Sequence, residues 1–225
     1  MLYQALEQAS GTFLDAGAGD GSRAADMLRS GRLAGFHRIV ATDISPLRTR
    51  AMRLHLPPNV VTLVADSAAL PFDDGEIDFY FSDQVIEHVP DDRAFAREIH
   101  RVLALHGRAF VGSVTKGRRA WYFYRCKGEW RLDPTHLREY CDLASFLATF
   151  RDADLEVLWA ETVPMGHPIA DYVLRLLVLI GLVPKDRAVT AYLRYPVLRA
   201  LRSIRIPIPG YHSCYALLSR RKVPR

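Results

Sequence analysis

Short apolar runs rich in β-branched residues alternate along this chain with stretches whose apolar positions recur at helical spacing. The runs predict strands at Thr12–Ala16, Arg38–Thr42, Val60–Ala65, Ile77–Ser82, Arg108–Val114, Leu155–Thr162 and Tyr211–Ser219. Between the fourth and fifth, Phe95, Ile99, Val102 and Leu103 stand at i, i+4, i+7 and i+8, one apolar stripe on a helix over Asp91–Leu105. Asp91 and Asp92 put negative charge where that helix's dipole favours it, and Gly107 is placed as the glycine closing its far end. Strands alternating with helices predict a parallel sheet covered by helices.

Two stretches break the alternation. Thr115–Leu137 is rich in aromatic and basic residues, and Pro164–Gly210 holds six prolines, among them Pro168, Pro196 and Pro207. Apolar residues make up 49% of the 225 and charged residues 24%, which excludes a disordered or fibrous chain. One domain, residues 1–225, with 115–137 and 164–210 as insertions, is the expected organisation. Cys126, Cys141 and Cys214 are an odd set with no C-x-x-C pair, so neither a disulfide framework nor a structural zinc site is expected. Met1–Ser10 does not read as a signal peptide, and the longest apolar run, Tyr172–Val183, carries Arg175 and falls short of the roughly 20 residues a bilayer span needs. A cytoplasmic location is the expectation.

Charge adds an asymmetry. From Met165 onward stand 11 Lys and Arg against Asp171 and Asp186, a balance of +9 within a chain of net +5. That part suits an anionic partner, or is simply a solvated basic face.

The candidate chemistry begins at Asp15-Ala16-Gly17-Ala18-Gly19-Asp20-Gly21, where a strand runs through glycines into a helix near Ser22. Glycines let backbone approach a ligand, and amides at the following helix's start attract an anion. The spacing is G-x-G-x-G, not the G-x-G-x-x-G of dinucleotide folds, and Asp15 would repel a pyrophosphate while suiting an ammonium. An amino acid satisfies both features. Asp43, Asp66 and Asp83 likewise follow strands; one such acid is commonly a cap or a turn, but four share the carboxyl edge where open α/β sheets bind ligands.

With Asp43-Ile44-Ser45, the segment Ala65–Asp78, Ser82-Asp83-Gln84-Val85-Ile86-Glu87-His88-Val89 and Arg101-Val102-Leu103, the chain resembles the class I S-adenosylmethionine-dependent methyltransferases over about residues 11–150. The nearest group is the one similar to ubiquinone/menaquinone-biosynthesis methyltransferases. The resemblance implies an α/β, Rossmann-like, doubly wound sheet of seven mainly parallel strands, order 3-2-1-4-5-7-6, with the last strand antiparallel. It implies S-adenosylmethionine as cofactor and S-adenosylhomocysteine as product. Gly17, Ala18 and Gly19 would pass against the methionine moiety, with Asp15 beside its amino group. Asp43 would hold the ribose, Ile44 pack on adenine, Asp66 and Ser67 meet the adenine edge, and Ser82 and Asp83 lie near the sulfonium.

An activated methyl donor leaves alignment and water exclusion to the protein, with a base needed only when the acceptor must lose a proton. His88 is the first candidate, since histidine titrates near neutrality; it could equally cap or pack a helix. His136 and Tyr140 are further candidates, with a surface loop as the alternative. Gln84-x-x-Glu87-His88 looks like the Glu-x-x-Glu-His segment that binds a divalent metal in some related O-methyltransferases, but Gln84 removes a charged ligand, so no metal is expected.

Both insertions are expected over the donor as an acceptor cap. Trp121, Tyr122, Phe123, Tyr124 and Trp130 among basic residues suit an unsaturated, anionic acceptor, or bases, or a packed hairpin. Pro196–Arg205 reads as a basic amphipathic helix for an anionic membrane surface, the domain itself or a homodimer contact. The expected acceptor is a small or lipid-like molecule methylated at oxygen or carbon. An RNA or protein methyltransferase docking through its basic end, and a non-catalytic cofactor-binding protein, are the rival readings; nucleic-acid bases are disfavoured because no Asn/Asp-Pro-Pro-Tyr/Phe follows the fourth strand.

Overall fold

The computed structural model describes residues 1–122, 124–126, 128–184 and 204–221. Its elements run α1 (Leu2–Glu7), β1 (Gly11–Ala16), α2 (Ser22–Arg29), β2 (Phe36–Asp43), α3 (Pro46–His55), β3 (Val61–Val64), β4 (Ile77–Asp83), α4 (Asp92–Val102) and β5 (Leu103–Lys116). There follow β6 (Tyr124–Cys126), β7 (Glu129–Arg131), α5 (Leu143–Arg151), β8 (Leu155–Pro168), α6 (Ile169–Leu179) and β9 (Arg205–Arg220). Seven strands form one sheet in the order β3-β2-β1-β4-β5-β9-β8. The first five pair in parallel, and β9 lies antiparallel between β5 and β8. This is the order expected from the resemblance, with β6 and β7 a separate hairpin inside the first insertion.

Alternation along the strands builds a core on each face. Leu14, Tyr80 and Val111 face α4 and α5 through Phe95, Ile99, Phe146 and Phe150. Their neighbours Phe13, Phe79, Phe81 and Phe110 face the other way, toward α1, α2 and α3 through Leu6, Met27 and Met52. Phe13 packs on Phe36, Phe79 and Phe81 at ring separations of 5.4–6.3 Å, an apolar patch directly beneath the glycine turn. Fully burying each ring contributes about 1.5–3 kcal/mol. Asp91 caps α4 by accepting from Arg93 N and Ala94 N at 2.9 and 3.0 Å, as its position predicts.

Three expectations need correction. Gly107 does not close α4: that helix ends at Val102, and Leu103 is already in strand conformation. Gly107 instead sits where the β4–β5 register shifts, and an added Cβ would lie 2.9 Å from Ile77 O, so it admits a close backbone approach. The outer strands also reach well beyond the predicted Leu155–Thr162 and Tyr211–Ser219, pairing out to Pro168 opposite Arg205. Pro164 and Pro168 lie on β8, an edge of the sheet, where a strand position can face away from its one neighbour and tolerate a missing N–H. Finally, Arg205 belongs to β9 and not to the predicted 196–205 helix, whose residues 196–203 lie outside the described ones.

Candidate active site

The carboxyl ends of β1, β2 and β4 converge on the turn between β1 and α2. Gly17, Gly19 and Gly21 adopt φ of 78°, 62° and 81°, left-handed values that glycine takes at no steric cost. The turn spends its own amides. Gly17 N and Ala18 N each donate to Thr42 O at 2.8 Å, Gly19 N to Asp43 Oδ2 at 3.0 Å, Gly21 N to Ala18 O at 3.0 Å and Ser22 N to Asp20 Oδ1 at 3.0 Å. The expectation that amides at the start of α2 attract an anion is therefore not met at Gly21 and Ser22. Asp43 Oδ1 accepts from Ser45 N at 2.9 Å, so one carboxylate ties the glycine turn to the turn that begins α3.

Asp15 and Asp83 lie on the same face of β1 and β4, both almost fully buried. Asp15 Oδ2 and Asp83 Oδ1 have no hydrogen-bond partner. Arg23, from α2, reaches Asp83 Oδ2 at 2.7 Å. Burial pushes the Asp15 carboxyl up to about 7; nearby Arg23 opposes this, while Asp83 and Asp43 add to it. Burial raises Asp83 as well, against the pull of Arg23. Two buried carboxylates with partnerless oxygens fit a ligand with a cationic end. Further along the edge, Ile44 is exposed, Ser67 is buried, and Asp66 accepts from Ala68 N at 2.9 Å. The Ser82 hydroxyl is spent on Ala16 O at 2.8 Å, pinning β4 to β1 and leaving only its backbone to meet a ligand.

Asp15 makes stability depend on pH. Its carboxyl ionises near 3.8 when unfolded and near 7 when folded, so between these values the native state holds a proton that unfolding releases. Stability of the ligand-free protein should fall as pH rises from about 4 to about 7, at up to about 1.4 kcal/mol per pH unit for one such group. Urea unfolding midpoints of the parent and Asp15→Asn at pH 5 and pH 8 check this, with the variant showing the shallower slope.

A second centre lies immediately past β4. Gln84 takes a left-handed φ of 60°, unusual for a side-chain-bearing residue, and turns the chain so that Glu87 enters the protein. Glu87 is fully buried, with Oε2 accepting from Ser113 Oγ at 2.8 Å and Oε1 without a partner. Burial pushes its carboxyl up to about 7, partly offset by hydrogen bonds that include Ser113. His88 and His136 pack edge to face with ring centres 4.8 Å apart. Glu87, His88 and His136 each offer a ligand atom within 4.8 Å of the others. Burial, then the neighbouring His136, lowers the His88 pKa, so this ring is neutral at pH 7.

The loop after β7 delivers His136 here. Its Nδ1 contacts Glu139 Oε1 at 3.0 Å, which leaves Nε2 as the ring's acceptor. Glu139 also accepts from Leu132 N and Tyr211 Oη, at 2.8 and 3.2 Å. Arg138 donates to the carbonyls of Ile86, Val89 and Pro90, and Leu137 N bonds Glu87 O at 2.9 Å, so the two loops are locked together. Tyr140, by contrast, directs its hydroxyl to Asp92 at 3.0 Å and packs its ring on Phe146, so its visible role is to hold this loop to α4. The sequence reading named His88 and His136 separately and missed that they form a cluster with Glu87. It also missed Arg23, which no spacing pattern marks.

Residues 14–111 match the family described as a methyltransferase domain. That stretch takes in the glycine turn, and the sheet order agrees with the order the resemblance implies. The chain is 29% identical over 163 residues to a ubiquinone biosynthesis O-methyltransferase of Xanthomonas oryzae pv. oryzae (strain PXO99A), covering 68% of this chain. It spans 65% of the length of that relative. Among solved structures, the cyclase SpnF superposes with a TM-score of 0.64 at 20% identity, over 99% of this chain and 81% of the other. The geranyl diphosphate C-methyltransferase of Streptomyces coelicolor A3(2) gives 0.60 at 19%, over 97% and 75%. At these identities the structures share the fold.

Proposed function

We propose that this chain is an S-adenosylmethionine-dependent methyltransferase that transfers a methyl group to an oxygen or carbon of a small or lipid-like acceptor seated against Glu87, His88 and His136. The observation carrying this reading is that two imidazole rings and a buried carboxylate converge at the loop that follows β4 and Asp83. Bound S-adenosylmethionine supplies an already activated methyl group. The chain then has to align the acceptor, exclude water and take a proton from a hydroxyl or an acidic carbon. His136 suits the last task, because Glu139 holds its Nδ1 and orients Nε2 toward the cluster. His88, kept neutral by burial, is the second acceptor of that proton. Tyr140 is left out of the chemistry on the grounds of its bond to Asp92.

The partnerless Oε1 of Glu87 favours a second reading, in which Glu87, His88 and His136 hold a divalent cation that polarises the acceptor oxygen. One carboxylate and two imidazoles fit a borderline transition metal better than magnesium. Relatives named for ubiquinone biosynthesis support a phenolic, prenylated acceptor, and the exposed Leu176, Ile180 and Leu182 beside a basic C-terminal part support peripheral contact with an anionic membrane from the cytoplasmic side.

The test offers labelled cofactor with a panel of catechols and prenylated phenols, in anionic or zwitterionic vesicles, with chelator or added zinc or manganese. The expected result is methylation of a phenolic hydroxyl, faster in anionic vesicles. Loss of transfer with chelator and its recovery with metal would select the cation reading. Transfer to RNA or protein alone would overturn the small-acceptor reading.

A further inference from the structure

His136 is held at two removes. Glu139 Oε1 lies 3.0 Å from its Nδ1, and the same carboxylate accepts from Leu132 N at 2.8 Å and from the Tyr211 hydroxyl at 3.2 Å. The chain on either side of Glu139 is anchored without that hydroxyl. Arg138 donates to three carbonyls in the loop after β4, and Tyr140 exchanges backbone bonds with Val114 and Lys116. What the hydroxyl decides is therefore the orientation of the carboxylate, not the path of the chain. A competitor for that carboxylate stands close by. Lys116 Nζ is 3.9 Å from Glu139 Oε2, with Glu129 Oε2 as its nearer partner at 3.3 Å, and an ammonium on a flexible stem can follow either acid.

Tyr211 itself has little freedom. It lies on β9 opposite Lys116, is 1% exposed, and its ring packs with Val114, Ala120, Tyr122 and Ile208. Burial, then the neighbouring Glu139, holds the phenol above its ordinary pKa, so the hydroxyl keeps a proton to donate. The hydroxyl also lies 3.2 Å from Trp130 O on β7, and its one proton favours the charged acceptor. We propose that Tyr211 is a positioning residue: by fixing the Glu139 carboxylate it keeps the His136 proton on Nδ1 and turns the bare Nε2 toward Glu87 and His88. One hydroxyl on the last strand thus joins the first insertion, through Trp130, to the ring that meets the acceptor. Without it, Oε2 turns toward Lys116 and Oε1 loosens its hold on Nδ1.

The inference rests on the proposed role of His136, and one arm of its test needs no turnover. Nitrogen-15 NMR of histidine-labelled protein reads the His136 tautomer, and the parent should carry its proton on Nδ1. Tyr211→Phe keeps the packed ring and removes only the hydroxyl. It should bring in the form protonated at Nε2. With the panel phenol that the parent methylates, kcat should fall about tenfold, while acceptor KM and S-adenosylhomocysteine affinity stay within about twofold. Ile208→Val trims the same cluster and spares the hydroxyl, so it should lower the melting temperature and leave tautomer and kcat as in the parent. An unchanged His136 tautomer in Tyr211→Phe, or an equal loss of kcat in Ile208→Val, would overturn the role given to Tyr211. Failure of the parent to methylate any of the panel would count against the proposed function instead, and the tautomer would still decide the question for Tyr211. Circular dichroism of both variants confirms the fold before they are compared.

Discussion

Replacing His136 with alanine is expected to lower methyl transfer by about 10²–10⁴-fold while leaving S-adenosylhomocysteine affinity within about twofold. The ring is almost fully buried, its Nδ1 is committed to Glu139, and its remaining nitrogen faces Glu87 and His88. Removing it takes the acceptor-side base or cation ligand away without touching the glycine turn. It also removes one partner of the buried Glu139 carboxylate, at a cost of about 1–3 kcal/mol, though Leu132 N and Tyr211 Oη still bond that carboxylate. Turnover must therefore be compared well below the variant's melting temperature. Single-turnover assays with saturating cofactor measure the chemical step directly, and a rate within about threefold of the parent would remove His136 from the mechanism.

The second large effect is expected from Gly17→Ala. An added Cβ there would lie 2.4 Å from Val85 Cγ2 and 2.8 Å from Cγ1, at a φ of 78° that already disfavours a side chain. Val85 is β-branched and half-buried between the cofactor turn and Glu87, so it yields only by moving the chain that positions the second centre. The expectation is a loss of about 2–4 kcal/mol in stability and about a hundredfold in cofactor affinity. Gly19→Ala is the matching control. It has a similar φ of 62° but nothing within 4 Å of its added Cβ, so only the conformational cost of about 1 kcal/mol applies. Thermal unfolding and calorimetry on the pair separate the clash from the backbone strain.

The central strands and α4 were legible because their two faces bury different residues, and a period of two or of 3.6 survives in the sequence. The glycine turn and the acids at the strand ends were legible because they sit at fixed offsets from strands, a local pattern. Three features were not. The outer strands contain prolines whose tolerance depends on β8 being an edge, which only the assembled sheet reveals. The joining of Glu87 and His88 to His136 depends on Arg138 and Leu137 stitching two distant loops, a contact with no trace in spacing. Arg23 occupies an exposed helical position where arginine is unremarked, and its role comes from the buried partner it meets.

Pro168 stands directly opposite Arg205, so the chain departs from the ribbon of β8 and β9 and re-enters it at neighbouring points. Whatever length is spliced between those two doorposts, the frame behind them keeps its register, because extending a closed loop adds only about 0.6 kcal/mol per doubling. That makes the segment an exchangeable module. Under the proposed function, swapping it between relatives would test whether acceptor preference travels with the segment while the sheet behind it stays unchanged.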